Sequence, residues 1–133
     1  MEDIFVGRLM SDELHTASPD TLVEDAATVL LDNDIGSLLV VEDGELEGIL
    51  TTTDFVEIVS ESHPKAETTV SRYMTTDLVT TTAGTAIRDA ADVMIEHGFH
   101  HLPVVDDDGT PIGMLTTTDL AGYLSHVQTP SPA

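Results

Sequence analysis

At 133 residues the chain has room for one compact domain or two small halves that share a core, and it is too short for a large single enzyme domain. Its 25 acidic against 4 basic residues give a formal charge of -21; phosphate binding relies on Lys and Arg, and Arg8, Lys65, Arg72 and Arg88 are the whole supply, so nucleic acid and anionic membrane surfaces are disfavoured as partners. The absence of cysteine excludes disulfides, thiolate zinc sites and cysteine nucleophiles.

No apolar run reaches the roughly 18 residues a membrane span needs, and the start MEDIFVG is too acidic for a signal peptide, so a soluble, cytoplasmic protein is expected. So large a charge destabilises a compact state at low ionic strength, whereas molar salt shortens the Debye length to about 3 Å. The expected setting is therefore a high-salt cytoplasm. Regular apolar blocks in a composition 41% hydrophobic set the chain apart from disordered sequences.

In chain order, a leader VGRLM (Val6 to Met10) precedes HTASP (His15 to Pro19), a first short strand. DTLVEDAATVLLDND follows with Leu22, Val23, Ala26, Val29 and Leu30 at helical spacing, and Thr21 with Glu24 predicts a capping box at its start. SLLVVE (Ser37 to Glu42) predicts a buried strand, Asp43-Gly44 a hairpin turn, and ELEGILT the return strand. A second helix is predicted from about Thr53 to Ser60, with Thr52 or Thr53 as N-cap. After the connector SESHPKAETT the order repeats as VSRYM, DAADVMIEHG, LPVVDD, Asp108-Gly109, TPIGMLT and TDLAGYLS. The offset is 64 residues, and 65 past the inserted aspartate of DDDG. Each copy is β-α-β-β-α, and neither covers its sheet on both sides alone. The fold class expected is α/β (α+β), two tandem repeats packed sheet to sheet with pseudo-twofold symmetry: residues 1–60, a connector 61–69, residues 70–125 and a flexible tail 126–133.

The repeat also duplicates GILTTTDF (Gly48 to Phe55) as GMLTTTDL (Gly113 to Leu120), at a strand-to-helix junction. A helix N-terminus attracts anions, flanking hydroxyls add uncharged donors, and Asp54 or Asp119 can accept from vicinal hydroxyls such as those of ribose. The same residues suit plain helix capping, and the two uses stay open on composition alone.

Other constellations carry less. In EHGFHH, Gly98 is expected to end a helix and the neighbouring His100 and His101 point to opposite faces of a strand, so with His97 they make a poor metal site and none is assigned. DDDG is expected to be a solvated turn without EF-hand spacing. No nucleophile elbow or separate carboxylate pair stands out, so no catalytic residue and no enzymatic activity are expected.

Order, spacing and duplication together resemble a CBS domain pair, or Bateman module, over roughly residues 4 to 125. The resemblance is carried by the leaders VGRLM and VSRYM, by FHHLPVVDDDGTPIGMLTTTDL and by its weaker counterpart IGSLLVVEDGELEGILTTTDF. It implies a regulatory module that binds an adenosine-containing ligand (AMP, ADP, ATP, S-adenosylmethionine or NAD) between the repeats and signals to a partner protein of unknown identity. In such modules G-x-x-T-x-x-D binds adenosine nucleotides, with Asp on ribose and Ser or Thr near phosphate; Gly48, Thr51, Asp54 and Gly113, Thr116, Asp119 match. One implied cleft joins Asp119, Thr116, Thr118, Met114 and His100 with Ser18, Val23, Ile35 and Gly36. The other joins Asp54, Thr51, Thr53 and Ile49 with Thr82, Ile87, Phe99 and His100. The clefts are expected to differ, because His100 stands where the first repeat has Gly36, and the Asp119 cleft is the first choice. Few basic side chains favour AMP, a magnesium-bound nucleotide or cationic S-adenosylmethionine over a bare polyphosphate. No obligatory cofactor is implied. The family also implies a homodimer through helix residues such as Ile58, Val59, Tyr123 and Leu124, and a ligand-free dimeric scaffold is the competing function.

Overall fold

The computed structural model describes residues 4–61 and 67–127. Part of the expected connector (62–66) and the end of the expected tail (128–133) lie outside the described residues.

Two compact units are present. One comprises residues 15–78: β1 (Thr16–Ala17), α2 (Val23–Asn33), β2 (Ser37–Glu42), β3 (Glu45–Thr51), α3 (Thr52–Ser60) and a 3-10 turn (Val70–Arg72). The other joins the leader helix α1 (Val6–Leu9) to β4 (Thr81–Thr82), α4 (Ile87–His97), β5 (His101–Val105), β6 (Pro111–Thr116) and α5 (Thr117–Val127). Each unit holds a three-stranded sheet, ordered β1-β2-β3 or β4-β5-β6, with its first pair parallel and its second antiparallel. The mixed α+β fold of two tandem repeats is thus the one the sequence predicts.

The cores repeat as the sequence does. Ala26, Leu30, Leu38, Val40 and Leu50 cluster around Val70, and Ala90, Met94, Leu102, Val104 and Leu115 cluster around Val6. Fully burying a Val or Leu side chain is worth about 1.5–3 kcal/mol relative to exposure, so the leader valine, 0% exposed in both cases, is a structural anchor. Each leader therefore completes the core of the unit formed by the other repeat: VSRYM serves residues 15–61, and VGRLM serves residues 79–127.

Backbone pairing repeats this exchange. Thr75 and Ile49 trade hydrogen bonds of 2.9 and 3.0 Å, and Ser11 and Met114 trade two of 2.9 Å. The leader carbonyls of Thr68 and Ile4 accept from Val23 N–H and Ile87 N–H at 3.0 and 2.8 Å, satisfying the first amides of α2 and α4. The capping box expected from Thr21 and Glu24 is not formed. Leu22 is the N-cap of α2, and Thr21 Oγ1 instead accepts from Ser18 N–H at 3.0 Å. The leader has taken over the cap's task.

The two hairpins differ. Asp43 and Gly44 both have positive φ, 53° and 80°, as a two-residue turn of the primed type requires. The second loop, which holds the inserted aspartate and begins where the strand pairing ends earlier, spans 106–110, and there Asp106 Oδ1 accepts from Asp108 N–H and Thr110 N–H, both at 2.9 Å.

Close leader approach leaves no room beside the motif glycines. A Cβ on Gly113 would lie 2.7 Å from Met10 Sδ and 2.8 Å from Ser11 O, and one on Gly48 would lie 2.9 Å from Met74 Sδ and Thr75 O. Gly113→Ala is expected to destabilise by about 1–3 kcal/mol through overpacking. Gly122→Ala, in α5 with nothing within 4 Å of the added carbon, is expected to stabilise by up to about 1 kcal/mol through helix propensity. Denaturant midpoints of the two variants measured side by side check the contrast.

Candidate functional site

The repeated TTTD stretches run from strand into helix without a linking residue: β3 ends at Thr51 and α3 begins at Thr52, while β6 ends at Thr116 and α5 begins at Thr117. Thr51, extended at φ -118° and ψ 167°, is the N-cap of α3, which corrects the expectation of Thr52 or Thr53. The physical reason is that the strand's last residue is already the last non-helical one.

Asp54 and Asp119 close capping boxes onto this first threonine. Thr51 N–H donates to Asp54 Oδ2 at 2.8 Å, and the Thr51 hydroxyl donates to the same oxygen at 3.3 Å. Thr116 N–H donates to Asp119 Oδ2 at 2.8 Å, and Asp119 N–H donates to Thr116 Oγ1 at 3.1 Å. In both aspartates the carboxylate hydrogen bonds fall on Oδ2, and Oδ1 has no hydrogen bond among the described residues. Both side chains are half-buried, while Thr52, Thr53, Thr117 and Thr118 beside them are exposed.

Gly36 and His100 share one backbone role: the Gly36 carbonyl accepts from Thr52 N–H at 3.1 Å and that of His100 from Thr117 N–H at 3.0 Å. Their side chains alone distinguish the two places. The adjoining residues Ser37 and His101 pair in register with Thr51 and Thr116. Burial lowers the His101 pKa below its ordinary 6.5, and His100 adds to this, while Asp119 acts in the opposite direction. His101 entered the sequence reading only as a metal candidate; its register opposite Thr116 becomes visible once the strands are paired. Among the described residues no group of three or more His, Asp or Glu is placed to hold a metal ion.

The other candidate residues divide between the units. With Thr51, Thr53 and Asp54 in residues 15–78 lie buried Ile49, buried Val23 at the start of α2, half-buried Ile35 and Gly36, and exposed Ser18. With Thr116, Thr118 and Asp119 lie half-buried Met114, exposed His100, and Phe99, whose ring stacks on His97 at 5.2 Å between centroids. Thr82, whose hydroxyl meets that of Thr85 at 2.9 Å, and Ile87 at the start of α4 belong to this second group. Each implied cleft thus draws on residues from both units.

Between α4 and α5 runs an apolar groove of about 570 Å³ whose lining includes Ile87, Ile95, Phe99, His100, Tyr123 and Leu124. Ile95 is 78% exposed and its repeat equivalent Leu31 is 80% exposed. Val59 and Leu124, also equivalent, are 82% and 50% exposed, so both repeats carry apolar residues on the outside of the same helices.

The family model for the CBS domain matches residues 6–61 and 70–126, and the chain belongs to the CBS domain family as a tandem pair. It is similar to the CBS domain-containing protein YhcV of Bacillus subtilis, 31% identical over 112 residues that span 84% of this chain and 79% of that protein. The CBS domain pair of protein MJ0100, solved in complex with 5'-methylthioadenosine and S-adenosyl-L-methionine, superposes with a TM-score of 0.88 at 23% identity, covering 96% of this chain and all of that one. CBSX2, solved in complex with AMP, has a TM-score of 0.81 at 28% identity and covers 94% and 98%. No helix among the described residues is long and apolar enough to cross a membrane.

Two outcomes follow for the unliganded protein. Asp119→Ala and Asp54→Ala each remove a capping partner and are expected to cost about 0.5–2 kcal/mol in equilibrium unfolding. His101 has a folded pKa below its unfolded 6.5, so between those values the unfolded chain binds the extra proton. Its stabilising contribution is complete above pH 6.5 and is lost as pH falls through that window. Unfolding measured across this range should show a downward slope towards acid that is smaller in His101→Gln.

Proposed function

We propose that this CBS pair is a regulatory module that binds an adenosine-containing ligand between its repeats and conveys occupancy to a partner protein. The observation that carries the reading is the twice-built TTTD junction. There an aspartate commits one oxygen to the helix cap, and its other oxygen has no hydrogen bond among the described residues, beside two exposed threonines. The adenosyl ligands named for MJ0100 and CBSX2 support the same reading.

On this reading Oδ1 of Asp119 or Asp54 accepts from ribose hydroxyls, and Thr116 with Thr118, or Thr51 with Thr53, faces the phosphate or its counterpart. Met114 and His100 with Ser18, Val23, Ile35 and Gly36 enclose the adenosine of the Asp119 cleft, and Ile49 with Thr82, Ile87, Phe99 and His100 that of the other. With 4 Lys and Arg in all, AMP, a magnesium-bound nucleotide or S-adenosylmethionine fits better than a bare polyphosphate. No catalytic step is assigned to the chain. A charge of -21 favours a high-salt cytoplasm as its setting. Occupancy shifts the repeats only by the ligand's differential affinity for their arrangements, which makes a downstream protein the reader of that shift.

A second reading, a dimeric scaffold with empty clefts, draws on the apolar residues Leu31, Val59, Ile95 and Leu124 exposed on the helices. Thermal unfolding in molar KCl, with AMP, magnesium-ATP, S-adenosylmethionine or NAD, separates the two. A ligand at a hundredfold excess over its dissociation constant stabilises by about 2.7 kcal/mol, and Asp119→Ala is expected to abolish most of that shift. No response to any ligand, alongside a stable dimer in sedimentation, would favour the scaffold.

A further inference from the structure

The most informative difference between the two junctions lies at one register position. Ser37 pairs with Thr51, and His101 pairs with Thr116. Thr51 and Thr116 are the residues whose amides hold Oδ2 of Asp54 and Asp119. Half-buried His101 therefore stands in register opposite the residue whose amide holds the Asp119 carboxylate, while the equivalent position opposite Thr51 is the uncharged Ser37.

Among the described residues the charged or titratable groups acting on His101 are His100, next to it in the chain, and Asp119 from α5. The strand paired with it, β6, presents uncharged Thr116. Around neutral pH burial keeps the ring uncharged. When the ring is protonated, a cation arises within electrostatic reach of Asp119 and competes for its charge with any hydroxyl bound to Oδ1.

We propose that His101 gives ligand binding at the Asp119 site a proton linkage that the Asp54 site, with Ser37 in that place, lacks; His100, which the reading places in both clefts, does not distinguish them. The inference rests on the reading of the junctions as adenosine sites and adds a regulation that acts on one of them. For a ligand whose adenosine moiety is uncharged, binding at Asp119 favours neutral His101, so acidification weakens it; by reciprocity, binding in the titration range releases protons.

The test uses adenosine and the full chain in molar KCl, with calorimetry between about pH 7.5 and about pH 5.5 in buffers of different ionisation enthalpy. Asp54→Asn isolates the Asp119 site and Asp119→Asn the other. The dissociation constant at the Asp119 site is expected to rise at least about threefold towards acid, with proton release, and to lose its excess over the Asp54 site in His101→Gln. The Asp54 site should show a smaller slope, unchanged by His101→Gln. An excess slope at the Asp119 site that survives His101→Gln, or an equal slope at both sites, would overturn the proposal. An NMR titration of His101 needs no ligand: its pKa should fall further in Asp119→Asn, and an unchanged value overturns the coupling whatever binds. Coupling by NMR with no adenosine binding at any pH would instead sink the adenosine reading, and with it the linkage.

Discussion

The structure depends on a backbone brought close to a glycine. In each unit the leader pairs with the last strand at one bridge, Thr75 with Ile49 or Ser11 with Met114. A methionine, Met74 or Met10, occupies the space a Cβ on Gly48 or Gly113 would need. Only glycine permits that approach, and only a long flexible side chain such as methionine fills the remaining gap without strain. The contact secures the strand end from which the capping threonine and aspartate emerge. Its reach extends to the core through Val6 and Val70, and to the helix starts through the leader carbonyls.

Because the leader of each repeat serves the other repeat's unit, the two halves are not independent folding problems. The second unit is completed by residues more than sixty positions upstream, so loop-closure entropy is spent once for Val6 before its burial is gained. In the unit comprising residues 15–78, which is continuous in sequence, Val70 closes a shorter loop onto its cluster, so the cost is smaller. Closely matched core residues, alike except for Leu30 against Met94, therefore need not mean equal local stability.

Much of this was legible in the sequence. The duplicated offset, the helix periodicities and the Asp43-Gly44 turn led to the β-α-β-β-α order, because local chemistry decides those features. The leaders' destination was not legible: VGRLM carries no sign of which repeat it completes, since both repeats offer the same glycine and the same valine-sized gap. For the same reason Thr21 and Glu24 suggested a capping box that the leader carbonyl makes unnecessary, a tertiary contact overriding a local preference. The N-cap was misplaced by one or two residues because TTTD offers three candidate threonines, and only the strand pairing decides among them. Asp54 and Asp119 stand out from spacing, and the structure shows both as capping partners; the place of His101 opposite Thr116 arises from register, which the flanking residues do not encode.

Helix capping and ligand binding looked like rival explanations of TTTD, yet one arrangement can serve both, because the cap uses only Oδ2. A carboxylate held at 2.8 Å by the N-cap amide has already lost its rotamer freedom, so a hydroxyl arriving at Oδ1 need not order it again. That matters in a chain with so few cations. Where Lys and Arg cannot supply long-range attraction, affinity for an adenosyl group must come from short-range bonds to pre-positioned oxygens and amides, and from apolar enclosure of the base. The same scarcity gives a single imidazole unusual leverage. In a field dominated by carboxylates, a positive charge that comes and goes beside Asp119 changes the local balance far more than it would on a surface already crowded with lysines.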